Sequence, residues 1–285
     1  MSFPFRNPPT RATAALALAV CLMGGNAAAT ESRELRVCAD PNNLPFSNQR
    51  LEGFENRIAA VVAEELGATV RYTWWAQRRG FIRNTLRAGT CDVVMGAPRD
   101  WDEVATTRPY YRSTYVFVYR GDAGLDIHSL DDPALRRLKI GVHTIGDSYY
   151  NTPPGHALAR RGIVSNVVGY SLYRDYSQDN PPLRLIEAVA SRAVDVAVMW
   201  GPFAGRAAER LGAPLTIVPI APESEAQLPF AYDIAIGVRK NDTALKQELE
   251  TALDRRRPEI SRILAEHGVP LVPAGAGLAR QEGRP

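Results

Sequence analysis

Residues 183–205 read LRLIEAVASRAVDVAVMWGPFAG, and an earlier stretch, residues 84–98, reads NTLRAGTCDVVMGAP. The two echo each other. Each runs from a short helical pattern through a polar or glycine break to an Asp. Each then has a β-branched apolar run containing Met, followed by Gly and Pro. Repetition of a helix–strand–loop device at this distance predicts two α/β lobes built alike. A site between them is lined by the loops that follow the strands.

Working outward, residues 35–39 form an apolar strand, and residues 40–48, with two prolines and several asparagines, form a loop. Phe54, Ile58, Val61, Val62 and Leu66 recur at helical spacing, and Gly67 closes that helix. Residues 69–75 are β-rich, residues 81–88 read as a short helix ending at Gly89, and residues 92–95 form the next strand. This βαβαβ order implies a parallel sheet with right-handed crossovers. After a strand at 115–119 and a turn-rich segment the pattern restarts. Strands at 138–142, 164–170, 195–200 and 215–220 alternate with helices at 154–161, 183–192 and 203–211. A strand at 232–238 leads back to two closing helices, marked by Leu245, Leu249 and Leu253 and then by Ile260, Ile263 and Leu264. The expected organisation is lobe 1 from residues 30–119 plus 229–273, an inserted lobe 2 from 120–228, and a loose tail at 274–285. Two crossovers between the lobes make a hinge, and hinged α/β lobes close around ligands.

The chain has 285 residues, a length typical of two cores rather than one. Residues 1–29 read as a secretory signal peptide: Arg6 and Arg11 supply positive charge, residues 14–23 are apolar, and Ala27-Ala28-Ala29 offers a cleavage site. The apolar run is too short to span a bilayer. A lipoprotein signal around Cys21 is the alternative, with Val20 a poor residue for the position before it. Removing the two arginines takes the net charge from +3 to +1, which gives no basic excess for nucleic acid or an anionic membrane. Cys38 and Cys91 remain. In an exported chain the pair suggests a disulfide, and two small buried thiols are the other reading.

Several segments carry a resemblance. Leu35-Arg36-Val37 with Pro45-Phe46, Thr107-Arg108-Pro109-Tyr110-Tyr111, Lys139-Ile140-Gly141-Val142 and Thr144-Ile145-Gly146 resemble, in order and spacing, the periplasmic solute-binding proteins of the polar amino-acid receptor type. The resemblance implies a type II, two-lobe α/β periplasmic binding protein-like fold joined by two hinge crossovers. A narrower likeness runs through CADPNNLPFSN, YTWWAQRRGFIRNTLRAGTCDVVMG, YYRSTYVFVYR, PPLRLIEAVASRAVDVAVMWGPFAG and ILAEHGVPLVP. These resemble the methanol-dehydrogenase-associated periplasmic proteins of the MxaJ/XoxJ type. That resemblance implies a periplasmic, monomeric accessory of a pyrroloquinoline-quinone alcohol dehydrogenase, acting on its maturation or activation. Its partners would be the dehydrogenase and the cytochrome c that serves it. It would have no cofactor, metal, nucleic acid or membrane insertion of its own.

Amino-acid receptors hold their ligand's carboxylate with an Arg after the third strand and its ammonium with an Asp after the second-lobe strand. By register the first position falls near Asp100 or Trp101, with Arg99 adjacent but out of step, either an anchor or a solvated loop residue. The second position falls on Trp200. An indole stacks and donates one hydrogen bond but supplies no countercharge. The expected cleft is therefore aromatic: Phe46, Trp74, Trp75, Tyr110, Tyr149, Trp200 and Phe203, with Arg99 at its edge. In a strand, Trp74 and Trp75 point to opposite faces, so one of them faces away. Thr144 and Gly146 precede a helix, where backbone N–H groups either hold an anion or simply begin the helix. His128, His143, His156 and His267 have no metal-ligand spacing, and His267 reads as a charge partner at a helix end. No phosphate-binding or nucleophile-elbow motif occurs. Catalysis would need a placed acid, for which Glu52 and Glu55 are the candidates, both otherwise a solvated helix start. Arg78-Arg79 and Arg255-Arg256-Arg257 are charge runs that are either solvated or face an acidic protein. A receptor for a small solute in an ATP-driven importer is the alternative to the accessory reading.

Overall fold

Strand β1 (Arg33–Ala39) is apolar through its second half and lies inside a sheet. The computed structural model describes Met1 and residues 33–145, 150–172, 181–225 and 227–273. Helix α1 (Phe54–Glu65) buries the face that its periodicity marks out, Phe54, Ile58, Val61 and Val62. Gly67, at φ 62°, turns the chain into β2 (Ala68–Trp74). This strand runs parallel to β1 along its whole length, from Arg33 opposite Ala68 to Ala39 opposite Trp74. The short helix α2 (Phe81–Asn84) then leads to β3 (Val93–Pro98), which pairs with β1 in parallel on its other side.

The long strand β4 (Tyr111–Arg120) begins the second half, which holds β5 (Ile140–Ile145), α3 (Pro153–Arg160), β6 (Val167–Ser171), α4 (Arg184–Ala190), β7 (Val196–Trp200), α5 (Gly201–Ala204), α6 (Ala207–Leu211) and β8 (Leu215–Pro219). Strand β9 (Ala231–Val238) returns to the first half, and α7 (Thr243–Arg255) and α8 (Arg257–Glu266) pack against it. The strands follow one path in the order β6-β5-β7-β4-β9-β3-β1-β2, with β8 beside β4. Strand β5 pairs in parallel with both β6 and β7, as β1 does with β2 and β3. The sheet is not parallel throughout. Strands β4, β8 and β9 run against their neighbours, because they carry the chain out of one half and back into the other. Residues 111–114 of β4 pair with β9, whereas residues 115–119 pair with β7.

Cys38 and Cys91 are bonded, with Cα atoms 5.5 Å apart. Cys91 lies just before β3 rather than within it. The pair is buried with Phe81, Ile82, Leu86 and Val94 in a small core under α2. A larger core runs beneath α1, α4, α7 and α8 through both halves, and a third lies between β5, β7 and α3. Two helices differ from the sequence reading. The expected helix at 81–88 is regular only to Asn84 and continues as turns. The expected helix at 203–211 is broken into α5 and α6 at Gly205, where a β-carbon would lie 2.4 Å from the carbonyl oxygen of His267.

Candidate functional site: an aromatic junction between the two halves

The loop after β1 is tied down by its own polar groups. Asp40 accepts from the backbone N–H of Asn42 and of Gln77, at 2.8 and 2.6 Å, and Ser47 Oγ donates to the Asp40 carbonyl at 2.8 Å. Asn56 Oδ1, buried in the first turn of α1, accepts from the N–H groups of Asn48 and Gly53. These bonds fix Phe46. Its ring meets Phe54 at 5.2 Å and Phe203 of α5 edge-on at 4.9 Å, so the loop of the first half touches the first helical turn after β7. Phe203 also takes the ring of His143 at 5.1 Å. Both phenylalanines are buried and serve as packing between the halves.

Trp200 ends β7. It lies opposite Tyr115 of β4 in register, and its ring packs against Tyr115 at 5.4 Å and Tyr232 at 5.7 Å. These partners sit on β4 and β9, the two strands that join the halves, and all three rings are half-buried. On the same strands, Arg112 donates to Asp233 at 3.2 Å and to Glu223 at 2.8 Å.

The other expected residues are spread more widely. Tyr110 is buried against Tyr111 at 5.0 Å, and its hydroxyl oxygen accepts from the N–H of Gly96 at 3.2 Å. Trp74 stacks on Tyr72 at 4.6 Å, whereas Trp75, one residue beyond β2, is 43 % exposed. Arg99 is exposed, with Asp100 and Asp233 at 3.8 and 3.9 Å. Thr144 leans on Gly169 of the neighbouring strand, where a β-carbon would lie 2.8 Å from its methyl group. Gly146 and Tyr149 lie outside the described residues, as does the loop read as an anion holder. A cavity of about 360 Å³ opens beside Phe203, between Leu44, Pro45, Glu52 and His267 on one side and Leu183, Arg206, Ala207 and Arg210 on the other.

The sequence reading named Glu52, Glu55 and His143 without fixing their surroundings. Glu52 is an exposed carboxylate bonded to Asn48 and Arg50, as a solvated helix start requires. Glu55 is not. Its carboxyl has no hydrogen-bond or ion-pair partner among the described residues, and desolvation pushes its pKa up to about 8. It fills the space beside Gly96, which has φ 69° and no side chain to obstruct it. The signal was present: Glu55, Ala59 and Val62 share one helical stripe, and the latter two are buried. His143, buried in β5, is the counterpart in the second half. Burial lowers its pKa to about 4, and Nε2 lies 3.2 Å from the Pro182 carbonyl oxygen. His267 sits at the helix end where the sequence reading put it. Its Nδ1 lies 2.8 Å from the Ile263 carbonyl oxygen at the end of α8, and its ring meets Phe54 at 5.9 Å.

Two α/β halves, joined by antiparallel crossover strands and meeting at a rim of strand ends and helix starts, define a two-lobe binding protein. Residues 35–267 match the model of the bacterial extracellular solute-binding proteins, family 3, and the chain belongs to that family. It is 35 % identical over 255 residues to Protein MoxJ of Methylorubrum extorquens, covering 87 % of this chain and 84 % of that one. To Protein MoxJ of Paracoccus denitrificans it is 30 % identical over 284 residues, covering 96 % of this chain and all of that one. Among solved structures it resembles the periplasmic binding protein XoxJ of Methylobacterium extorquens AM1, with a TM-score of 0.70 and 36 % identity, over 84 % of this chain and all of that one.

Proposed function

We propose that the chain is a non-catalytic periplasmic accessory protein of a pyrroloquinoline-quinone alcohol dehydrogenase of the methanol-oxidising kind, binding that enzyme or assisting its maturation. The observation that carries the reading is Trp200. Where an amino-acid receptor places a carboxylate for its ligand's ammonium, this chain places an indole held between Tyr115 and Tyr232. The position near Asp100 likewise offers no guanidinium in register, and Arg99 is turned to solvent beside two acids. A junction of half-buried aromatic rings suits a polypeptide or a large apolar group better than a zwitterion. The likeness to the two MoxJ proteins and to XoxJ supports the same reading. In it, Trp200 with Tyr115 and Tyr232 lies at the partner-facing junction, and Phe46 and Phe203 pack the two halves together.

The test is co-purification from periplasm with a tagged copy, followed by mass spectrometry of the eluate. The expected result is recovery of a quinoprotein dehydrogenase, with or without its cytochrome. Trp200→Ala should weaken that association about tenfold, consistent with the loss of an aromatic anchor, while leaving the circular dichroism spectrum unchanged. An eluate holding no dehydrogenase but a stoichiometric small molecule overturns the reading in favour of an importer receptor.

A further inference from the structure

The two arginine runs have opposite fates. Arg255, Arg256 and Arg257 are used up within the fold. Arg255 and Arg256 meet Glu65 at 3.1 and 2.9 Å, Arg256 also meets Glu64 and Glu259, and Arg257 meets Asp254 at 3.0 Å. Arg78, Arg79 and Arg83 are all exposed and have no hydrogen-bond or ion-pair partner for their side chains among the described residues. Three like charges close together in the chain, with no acid bonded to them among the described residues, repel one another. Beside them stands Trp75, more exposed than any other described Trp, Tyr or Phe.

The segment is held firmly from beneath. The N–H of Trp75 donates to the Ala39 carbonyl at 3.0 Å, and the N–H of Gln77 to Asp40 at 2.6 Å. The Arg78 carbonyl accepts from Phe81 at 2.9 Å, and Phe81 and Ile82 are buried on the Cys38–Cys91 disulfide. A loop whose backbone is anchored in this way is ordered before any partner arrives, which lowers the ordering cost of association. Tryptophan and arginine are also the side chains that dominate the energetic centres of protein interfaces. A net charge of +3 over the full chain and membership of an extracellular family argue against a nucleic-acid partner.

We propose that Trp75, Arg78, Arg79 and Arg83 form a docking face for an acidic patch on a partner protein. The assignment rests on the accessory reading above and makes this a face that meets the dehydrogenase in addition to the junction at Trp200.

The experiment measures binding of the purified full-length mature protein to the purified dehydrogenase by biolayer interferometry at several salt concentrations. The triple variant R78E/R79E/R83E should lower affinity at least tenfold, mainly through slower association, and flatten the salt dependence. Trp75→Ala should speed dissociation. The matched control is R136E/R137E/R160E, which makes the same change in net charge at three exposed arginines that also lack acidic partners among the described residues. It should bind as the unaltered protein does. Equal weakening by both triples, or by neither, overturns the docking face while leaving the accessory reading intact. Absence of binding by the unaltered protein removes the accessory reading and this face with it. Because all the altered side chains are exposed, an unchanged melting temperature is required of each variant before its affinity is compared.

Discussion

The two echoed segments build the same device and secure it by different means. In residues 84–98 the strand β3 is preceded by Cys91, which is bonded to Cys38 of the neighbouring strand, and it is kinked within its length at Gly96, which has φ 69° and lies beside Glu55. In residues 183–205 the strand β7 has no covalent tie. It ends at Trp200 between the rings of two crossover strands, and Gly201 starts α5 directly against the backbone of β4. The apolar run places each strand inside its sheet. The residues just before and after the run decide whether the strand is stapled and kinked, or unstapled and packed.

The largest expected effect tests the staple. The disulfide spans 53 positions, and closing a loop of that size in the unfolded chain stabilises the folded state by about 4 kcal/mol. Cys38→Ser with Cys91→Ser should lower the free energy of urea unfolding by about that amount. A loss below about 1 kcal/mol would mean that packing under α2 secures the first segment too, and the contrast between the segments would fail.

The second effect tests the packed end. A β-carbon on Gly201 would lie 2.6 Å from the Thr114 carbonyl oxygen, a backbone atom in the middle of a paired strand. Gly201→Ala should therefore cost about 2–3 kcal/mol by overpacking. In the matched change Gly96→Ala, the atoms nearest the new β-carbon are those of the Glu55 carboxylate, the first at 2.2 Å. That side chain can swing away, leaving mainly the backbone cost of a positive φ, about 1 kcal/mol. Thermal and urea unfolding of the two variants, side by side, should rank Gly201→Ala as the more damaging. The reverse order would show that the β4 backbone yields more easily than the Glu55 side chain.

Much of the fold was legible because it rests on local periodicity. Phe54, Ile58, Val61 and Val62 announce α1, Gly67 stops it, and the β-branched runs at 93–95 and 196–199 become central strands. What was not legible depends on contacts distant in sequence. Nothing near Gly205 announces that the carbonyl of His267 will press on it and divide a helix. The antiparallel crossovers follow from chain return, which a strand-by-strand reading does not contain. The site was partly legible. Trp200 ends the strand expected at 195–200, but its partners Tyr115 and Tyr232 come from strands read only as connections. Glu55 was read as solvated because an acid in the first helical turn usually is. The helical stripe it shares with Ala59 and Val62 carried the contrary message.

The smallest expected effect sets the desolvated titratable groups of the two halves, Glu55 and His143, against each other. Glu55 holds its proton in the folded protein up to a pH of about 8, whereas an unfolded chain releases it near 4.5. Between these values the folded state binds more protons, so stability falls as pH rises through the window. His143 has the opposite sign. The unfolded chain takes up a proton near pH 6.5 that the folded protein refuses until about 4, so stability falls as pH drops through that range. From 4.5 to 6.5 the two slopes oppose each other, and above 6.5 the Glu55 slope stands alone. Glu55→Gln should therefore raise stability at pH 8 relative to pH 6.5 by about 1 kcal/mol against the unaltered protein, the carboxyl being only partly screened by solvent. The same variant should expose an uncompensated His143 slope below pH 6.5. Both limbs can be read from melting temperatures across pH 4–9. If Glu55→Gln leaves the limb above pH 6.5 unchanged, the carboxyl is already ionised in the folded protein. The kinked strand of the first segment would then have a charge beside it at neutral pH that the packed end of the second does not, and the crevice beside Gly96 would be polar rather than neutral.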